Sequence, residues 1–242
     1  MDLGIDGKRA AVAAASAGLG FASAAALAAE GVQVAICGRD RARIDEAADR
    51  IGPLAVPLVC DVGSAEGGAA FVAAATEALG ELDILVTNAG GPPPGNFAST
   101  DVDDYPAALD LNLMSVVSMC KAAAPPMQAR GWGRVVAITS LSVRQPIAQL
   151  ILSNTARAGA TGFLKTLARE VAGDGVTVNS VQPGLHLTDR IRTVYGADDL
   201  PDRPMGDPDD FGQAVAFLCG QSARFVTGAQ LHLDGGDYAG LQ

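Results

Sequence analysis

From Arg9 to Arg39 the chain places a buried strand, a tight glycine turn, a helix and a second buried strand within a single short stretch. It runs Arg9-Ala-Ala-Val-Ala-Ala-Ala-Ser16-Ala-Gly18-Leu19-Gly20-Phe21, continues as an alanine-rich helix, and emerges as Val32-Gln-Val-Ala-Ile-Cys-Gly38-Arg39. A βαβ unit with glycines at the strand-to-helix junction is the phosphate-binding half of a dinucleotide fold. The helix that starts near Gly18 directs unpaired backbone N–H groups and a positive dipole end at the turn, where a pyrophosphate can sit. Gly18 and Gly20 lack side chains, so a ligand and the first strand can both approach the backbone closely. Ala14, four residues before Gly18, stands where such loops often carry a further glycine. Taken alone, the glycines also suit an ordinary strand–helix turn. The βαβ context favours nucleotide binding over that reading.

A formal charge of −10 argues against nucleic acid or an anionic membrane surface as partner. A phosphate-rich cofactor would therefore need a local site that works against the global charge. Hydrophobic content of 49% supplies a large core, and with aromatics at 5% that core must be built from Ala, Val, Leu and Ile. Cys37, Cys60, Cys120 and Cys219 are widely spaced, with no C-x-x-C pair and no histidine cluster nearby. They read as small buried residues in a reducing compartment, not as disulfides or metal ligands. The stretch Ala10 to Ala29 carries no charge and follows Lys8-Arg9, much as a signal peptide or membrane span would. It is rich in Ala, Gly and Ser, however, and the glycine turn interrupts it. The expectation is a soluble, cytoplasmic protein with no metal site.

Further along, Asp40 to Ile51 carries charges at helical spacing, with Ile44, Ala47, Ala48 and Ile51 facing inward. Leu54 to Cys60 is a third apolar run, and Ser64 caps a helix to about Leu79. Leu82 to Gly90 is a fourth strand that closes in a glycine–proline turn through Gly95. A long helix is expected from Val102 to Arg130, broken near Pro106 and again at Pro125-Pro126. Arg134 to Ser140 is a fifth strand, 150–172 a helix, and Val176 to Gln182 a sixth strand. The segment from Leu185 to Asp207 reads as a long loop with room for a short helix. Pro208 to Cys219 is helical, and Ala229 to Leu233 is a last strand. Apolar strands alternating with helices imply a parallel sheet covered on both faces. Right-handed crossovers then give a doubly wound α/β sheet, a three-layer Rossmann fold, expected as one domain over 1–242. Its ligand would sit at the carboxyl ends of the strands.

With these motifs in order, the chain resembles the short-chain dehydrogenase/reductase family over nearly its whole length. Ala14-Ala-Ser16-Ala-Gly18-Leu19-Gly20 looks like the family's glycine-rich turn. Asp61-Val62 looks like its adenine-contacting pair, and Asn88-Ala89-Gly90 like its signature after the fourth strand. Asn112 falls where the family places a catalytic-relay Asn, and Ser140 ends the fifth strand as the family's catalytic Ser does. Pro183-Gly184 with Thr188 resembles the loop that meets the nicotinamide carboxamide and phosphate. Leu231-His232-Leu-Asp234-Gly-Gly236 resembles the family's C-terminal strand. The resemblance implies a nicotinamide cofactor, a small-molecule substrate and a homotetramer or dimer. The alanine-rich faces at 107–124 and 156–172 would allow close helix contacts between subunits or against the chain's own sheet.

An acidic residue at the end of the second strand would read a ribose 2′-hydroxyl and repel a 2′-phosphate. Here that place holds Gly38, followed by Arg39, whose guanidinium can pair bidentately with a phosphate. NADP(H) is therefore favoured over NAD(H), unless Arg39 is only solvated or stacks on the adenine.

One departure bears on the chemistry. The resemblance implies a Tyr as proton donor and a Lys four residues later that holds the cofactor ribose and lowers the Tyr pKa. The register from Ser140 puts Ser153 and Arg157 in those places, and Arg157 can still bind ribose hydroxyls and supply a fixed positive charge. Residues at i and i+4 share one helix face, so both still point the same way. An aliphatic hydroxyl is a far weaker acid than a phenol, and a general acid works best with a pKa near the operating pH. His186, after Pro183-Gly184, is the best ionisable substitute, although a loop histidine can equally make only a structural hydrogen bond. Ser142 is a further hydroxyl in reach of a carbonyl, or a plain loop residue. Gln145, Gln149 and Asn154 are candidate pocket residues that also suit the surface, and Trp132 reads as a packing residue. The aspartates around 101–104 and 207–210 read as helix N-terminal acids.

Three functions follow from the resemblance and this departure. One is an oxidoreductase acting on a carbonyl or alcohol with an altered catalytic set. A second is non-redox chemistry: halohydrin dehalogenases resemble the family and use Arg where reductases use Lys, but they keep the Tyr and lack an intact nucleotide turn. The third is a nucleotide-binding protein without turnover.

Overall fold

The computed structural model describes residues 2–196, 200–202 and 204–241. Seven strands form one parallel sheet in the order β3-β2-β1-β4-β5-β6-β7. They are β1 Arg9–Val12, β2 Gln33–Gly38, β3 Ala55–Val59, β4 Ile84–Thr87, β5 Gly133–Ile138, β6 Val176–Pro183 and β7 Gln230–Leu233. The described helices are α1 Gly18–Ala29, α2 Arg41–Ile51, α3 Ala65–Leu79, α4 Tyr105–Leu109, α5 Ser115–Arg130, α6 Ile151–Val171, α7 Asp189–Tyr195 and α8 Pro208–Cys219. This is the doubly wound three-layer α/β sheet expected from the sequence.

Side chains of a strand alternate between the two faces, and the apolar runs feed two cores at once. Ala10, Val12, Val34, Ile36, Ile84, Val86 and Val136 pack under α1, α2 and α8. Ala11, Ala35, Cys37, Leu85, Val135 and Ala137 pack under α3, α5 and α6. Because aromatics are few, helices sit close to the sheet through alanine: α1 buries Ala22, Ala24 and Ala26. The edge strand β3 is only half-buried. Cys37, Cys120 and Cys219 are buried free thiols, and burial pushes each up to about 12. That fits small core residues and not nucleophiles.

The helix covering 102–130 corrects the sequence reading. Pro106 does not break it, since it lies in the first turn of α4, where its missing N–H has no helical partner anyway. Pro125 and Pro126 lie inside α5, which continues to Arg130. Both prolines are on the exposed side, while Ala123, Ala124 and Met127 hold the helix to the sheet. The real irregularity is a wider π turn over Asp110–Met114. By length and composition this helix is apolar enough to cross a membrane, yet its inner face is part of the core.

Ser64 caps α3 and Asp207 caps α8, as their positions suggested. The expected loop from 185 to 207 contains α7; its residues 197–199 and 203 lie outside the described ones. Trp132 is a packing residue, sandwiched between Lys8 and the buried Arg134 at 4.1 and 4.4 Å from its ring centroid.

Candidate active site

Strands β1 and β4 are neighbours in the sheet but not in sequence, and the chain leaves them in opposite directions to build the two halves. At such a switch point the loops after the strands part and leave a crevice. A cavity of about 680 Å³ opens there, bounded by the loops after β1, β4, β5 and β6.

Its first wall is the glycine turn, with Ala14, Ser16, Gly18 and Leu19 lining it. Gly18 has φ +59, which suits glycine, and Ala14 adopts φ 47 despite its Cβ. That left-handed backbone is held from both sides: Ala14 N donates to Cys37 Sγ at 3.4 Å, and Asn88 Nδ2 donates to the Ala14 carbonyl at 3.2 Å. Gly20 lies beneath the wall, not in it; a Cβ there would stand 2.6 Å from the Ala14 oxygen. The N-cap Ala17 gives α1 no side-chain acceptor, so the first-turn N–H groups are left for another partner. Such a cradle fits a pyrophosphate.

Beside it lie Asn88, Ala89 and Gly90, and across it Pro183, Gly184 and Thr188. A Cβ on Gly18 would lie 3.6 Å from the Thr188 methyl, so Thr188 faces the turn directly. Ser140, Ser153 and Arg157 line the other end with Gln145, Ile147 and Leu150. Ser140 Oγ accepts the Ser142 N–H at 3.1 Å, which leaves the Ser140 hydroxyl hydrogen available to donate. Ser153 and Arg157 are one turn apart on α6. Arg157 Nη1 donates to the Ile138 carbonyl at 3.0 Å. Burial, and then the like charge of Arg190, push Arg157 down to about 10, so it stays charged at neutral pH.

Several expected residues stand apart from the cavity walls. Asn112, in the π turn, is buried and donates through Nδ2 to the Gly90 carbonyl at 2.9 Å, while its Oδ1 has no protein partner. Asp61 is exposed and accepts the Gly63 N–H at 2.9 Å, and Val62 is buried beside it. Arg39 is exposed at the end of β2, and the cationic wall residue on that side is Arg43, on α2. Gln145 lines the cavity and Gln149 does not; Asn154 is bonded to both backbone groups of Ile147. Ser142 is buried with its hydroxyl unpartnered.

His186 reaches the wall but is packed from behind. It is 5% exposed, its ring stands edge-on to Phe211, and Nδ1 lies 3.4 Å from the Gly184 carbonyl. Burial lowers its pKa, opposed by the Gly184 carbonyl and by Asp210 and Asp207. The imidazole is therefore held below its ordinary range and is neutral at pH 7, which weakens His186 as a proton donor. A histidine whose folded pKa lies below its unfolded value binds its proton better in the unfolded chain. Its contribution is therefore complete above about pH 6.5 and is lost as the pH falls below it. Between pH 7 and 5, urea unfolding is expected to show a steeper loss of stability for wild type than for His186→Gln. Parallel slopes would show that His186 stays unburied in solution.

Sequence reasoning missed Arg43, Gly91 and Arg190. Gly91 lies in a loop without period and Arg190 in the first turn of the short helix α7, and the only available signal was an arginine two residues after Thr188.

A parallel sheet with a glycine cradle at its switch point, opposite a polar end that carries hydroxyls and arginines, defines a nucleotide-dependent oxidoreductase scaffold. The family model described as enoyl-(acyl carrier protein) reductase matches residues 13–237. The chain belongs to the short-chain dehydrogenase/reductase family, whose members are oxidoreductases. It is 32% identical over 242 residues to 3-oxoacyl-(acyl-carrier-protein) reductase FabG of Vibrio cholerae, covering 98% of this chain and 99% of that one. L-sorbose reductase of Gluconobacter frateurii, solved with NADPH and L-sorbose, aligns with a TM-score of 0.92 at 30% identity over 100% of both chains. A 3-oxoacyl-(acyl-carrier-protein) reductase of Agrobacterium tumefaciens with NADP bound aligns at 0.90 and 31% identity, over 97% of this chain and 95% of that one.

Proposed function

We propose that this chain is an NADP(H)-dependent oxidoreductase that interconverts a small-molecule carbonyl and its alcohol with a non-standard catalytic set. One observation carries the reading: the uncapped glycine turn, Ser140, Ser153 and Arg157 open into a single cavity. The dinucleotide supplies or accepts a hydride when bound. The first-turn N–H groups of α1 would hold its pyrophosphate, with Thr188 facing them across the turn. Asn88, Ala89, Gly90, Pro183 and Gly184 line the cavity beyond the turn and would hold its nicotinamide half. Ser140 donates a hydrogen bond to the substrate oxygen and Ser153 a second. Arg157 sets a fixed positive charge beside the oxygen as it gains negative character, which is electrostatic stabilisation without an ionising acid, and the resulting alkoxide takes its proton from solvent in the open cavity. Asn112 acts behind the wall by fixing the Gly90 carbonyl, and is a positioning residue.

The cofactor preference rests on Gly38 in the place of a ribose-reading acid, with Arg39 and Arg43 beside it. Neither arginine is ion-paired among the described residues. A fluorescence titration with NADPH and NADH tests it. Arg39→Ala is expected to weaken NADPH about tenfold to a hundredfold, the worth of one or two charge-assisted hydrogen bonds, and to leave NADH unchanged. Equal losses for both nucleotides would remove the NADP assignment. Binding of neither would return the non-redox reading.

The reading extends to one domain spanning the chain, a cytoplasmic location and a homotetramer or dimer. Exposed Phe97, Val102 and Met114 around α4 and α5, with Phe225 and Leu241 near the C-terminus, supply apolar surface for such contacts.

A further inference from the structure

The protein is strongly acidic, yet two arginines line the substrate end of its cavity. They are Arg157 and Arg190, and no ion pair among the described residues involves either. The carboxylates on the walls are Asp189 and Asp237. Each guanidinium has five N–H donors and spends few of them on protein. Arg157 gives one to Ile138, and Arg190 Nη2 gives one to the Pro92 carbonyl at 2.9 Å.

Arg190 has a built seat. Its guanidinium lies flat on Gly91, where a Cβ would stand 2.7 Å from Nη2, 3.0 Å from Cζ and 3.1 Å from Nε. The Gly91 backbone is not in the left-handed region, so the absent side chain makes room for the guanidinium and is not a demand of the turn.

This seat belongs to the substrate end, not the pyrophosphate end. Gly95 N donates to the Gln149 carbonyl at 2.8 Å, and Ile151 N donates back to the Gly95 carbonyl at 3.1 Å. The loop carrying Gly91 and Pro92 is thereby stitched to the segment that presents Ile147, Leu150 and Ser153. The glycine turn is faced by Thr188 instead. Two like charges share this end, and burial depresses both, Arg157 with an added push from Arg190. An anion between them relieves the repulsion and the missing solvation together.

We propose that Arg157 and Arg190 form a clamp for a carboxylate, and that the substrate is a short oxo acid or the matching hydroxy acid. Ser153 is one helical turn from Arg157, so a carboxylate on the clamp leaves the reacting carbonyl only one or two carbons away. A 2-oxo or 3-oxo acid meets that spacing, with its apolar body against Ile147, Leu150 and Ile191. The inference rests on the oxidoreductase reading for its carbonyl, and on the two arginines alone for its anion.

Calorimetry on protein saturated with NADP+, which has no hydride to give, tests it. Pyruvate, acetoacetate and 3-oxohexanoate are titrated against their uncharged methyl esters. At least one acid is expected to bind roughly tenfold tighter than its ester or better. Arg190→Gln should remove that preference, Arg190→Lys should keep part of it, and NADP+ affinity should move less than about twofold in either. Equal affinity of acids and esters, or no binding by any acid, overturns the clamp. A loss of NADP+ affinity in Arg190→Gln with the acid preference intact overturns it too, and places the guanidinium on the cofactor phosphates. If wild type does not bind NADP+, the cofactor reading fails on its own, and the acid–ester comparison without nucleotide still decides the clamp.

Discussion

Ser153→Tyr combined with Arg157→Lys is expected to raise kcat/KM for ketone reduction by about 10²- to 10⁴-fold, the usual worth of a positioned general acid. In the protein as it stands, Ser153 can donate a hydrogen bond to the substrate oxygen but is too weak an acid to release its proton at neutral pH. A phenol at 153 changes that, because the cation one turn later favours the phenolate and so lowers the phenol pKa. The cavity has room: Ser153 lines about 680 Å³ of open volume. Lysine at 157 also places a compact charge where the guanidinium is now tied to Ile138. Initial rates of NADPH oxidation with a ketone panel give the answer. Rates unchanged from wild type would mean that proton supply is not what limits this enzyme.

The second large effect lies at the glycine turn. Gly20→Ala would set a Cβ 2.6 Å from the Ala14 carbonyl oxygen and 2.8 Å from Asn88 Nδ2, two atoms that are hydrogen-bonded to each other. Neither is the end of a long flexible chain, so the turn or α1 must shift. Overpacking of this kind costs about 1–3 kcal/mol, and a chain of this size loses about 2–4 °C of Tm for each kcal/mol. NADPH affinity should fall at least about tenfold, because the N–H groups that hold the pyrophosphate move with the helix. A Tm and a Kd both equal to wild type would show that this turn is not the cofactor cradle.

The sheet was legible because buried parallel strands leave continuous apolar runs, as Val32 to Gly38 and Arg134 to Ile138 do. Helix interruptions were misjudged for a physical reason. A proline signals a break by its missing donor and its ring, but Pro106 sits where no donor is needed, and Pro125 and Pro126 are outweighed by Met127 and its neighbours packing on the sheet. The π turn around Asn112 has no such punctuation and was invisible. In the site, spacing from Ser140 located Ser153 and Arg157, since a strand end and a helix face are fixed by period. Arg39 directly follows β2, but the chain turns into α2 there, and Arg43, one turn on, reaches the wall. Arg190, in the first turn of α7, and Gly91, in the loop after β4, meet only in three dimensions. No local pattern could announce that a glycine is absent of side chain so that a distant guanidinium can lie on it.

Ala14 has a consequence for how occupancy of the cavity is felt. A non-glycine residue in left-handed backbone stores about 1–2 kcal/mol, and it persists only where its surroundings leave no alternative. Here the restraints come from Cys37 on β2 and Asn88 just after β4, the two strands that flank β1. The glycine turn is thus tied to both strands that flank β1, and a nucleotide held there is expected to raise the melting temperature of the chain as a whole. Thermal denaturation becomes a ligand detector that needs no substrate and no turnover.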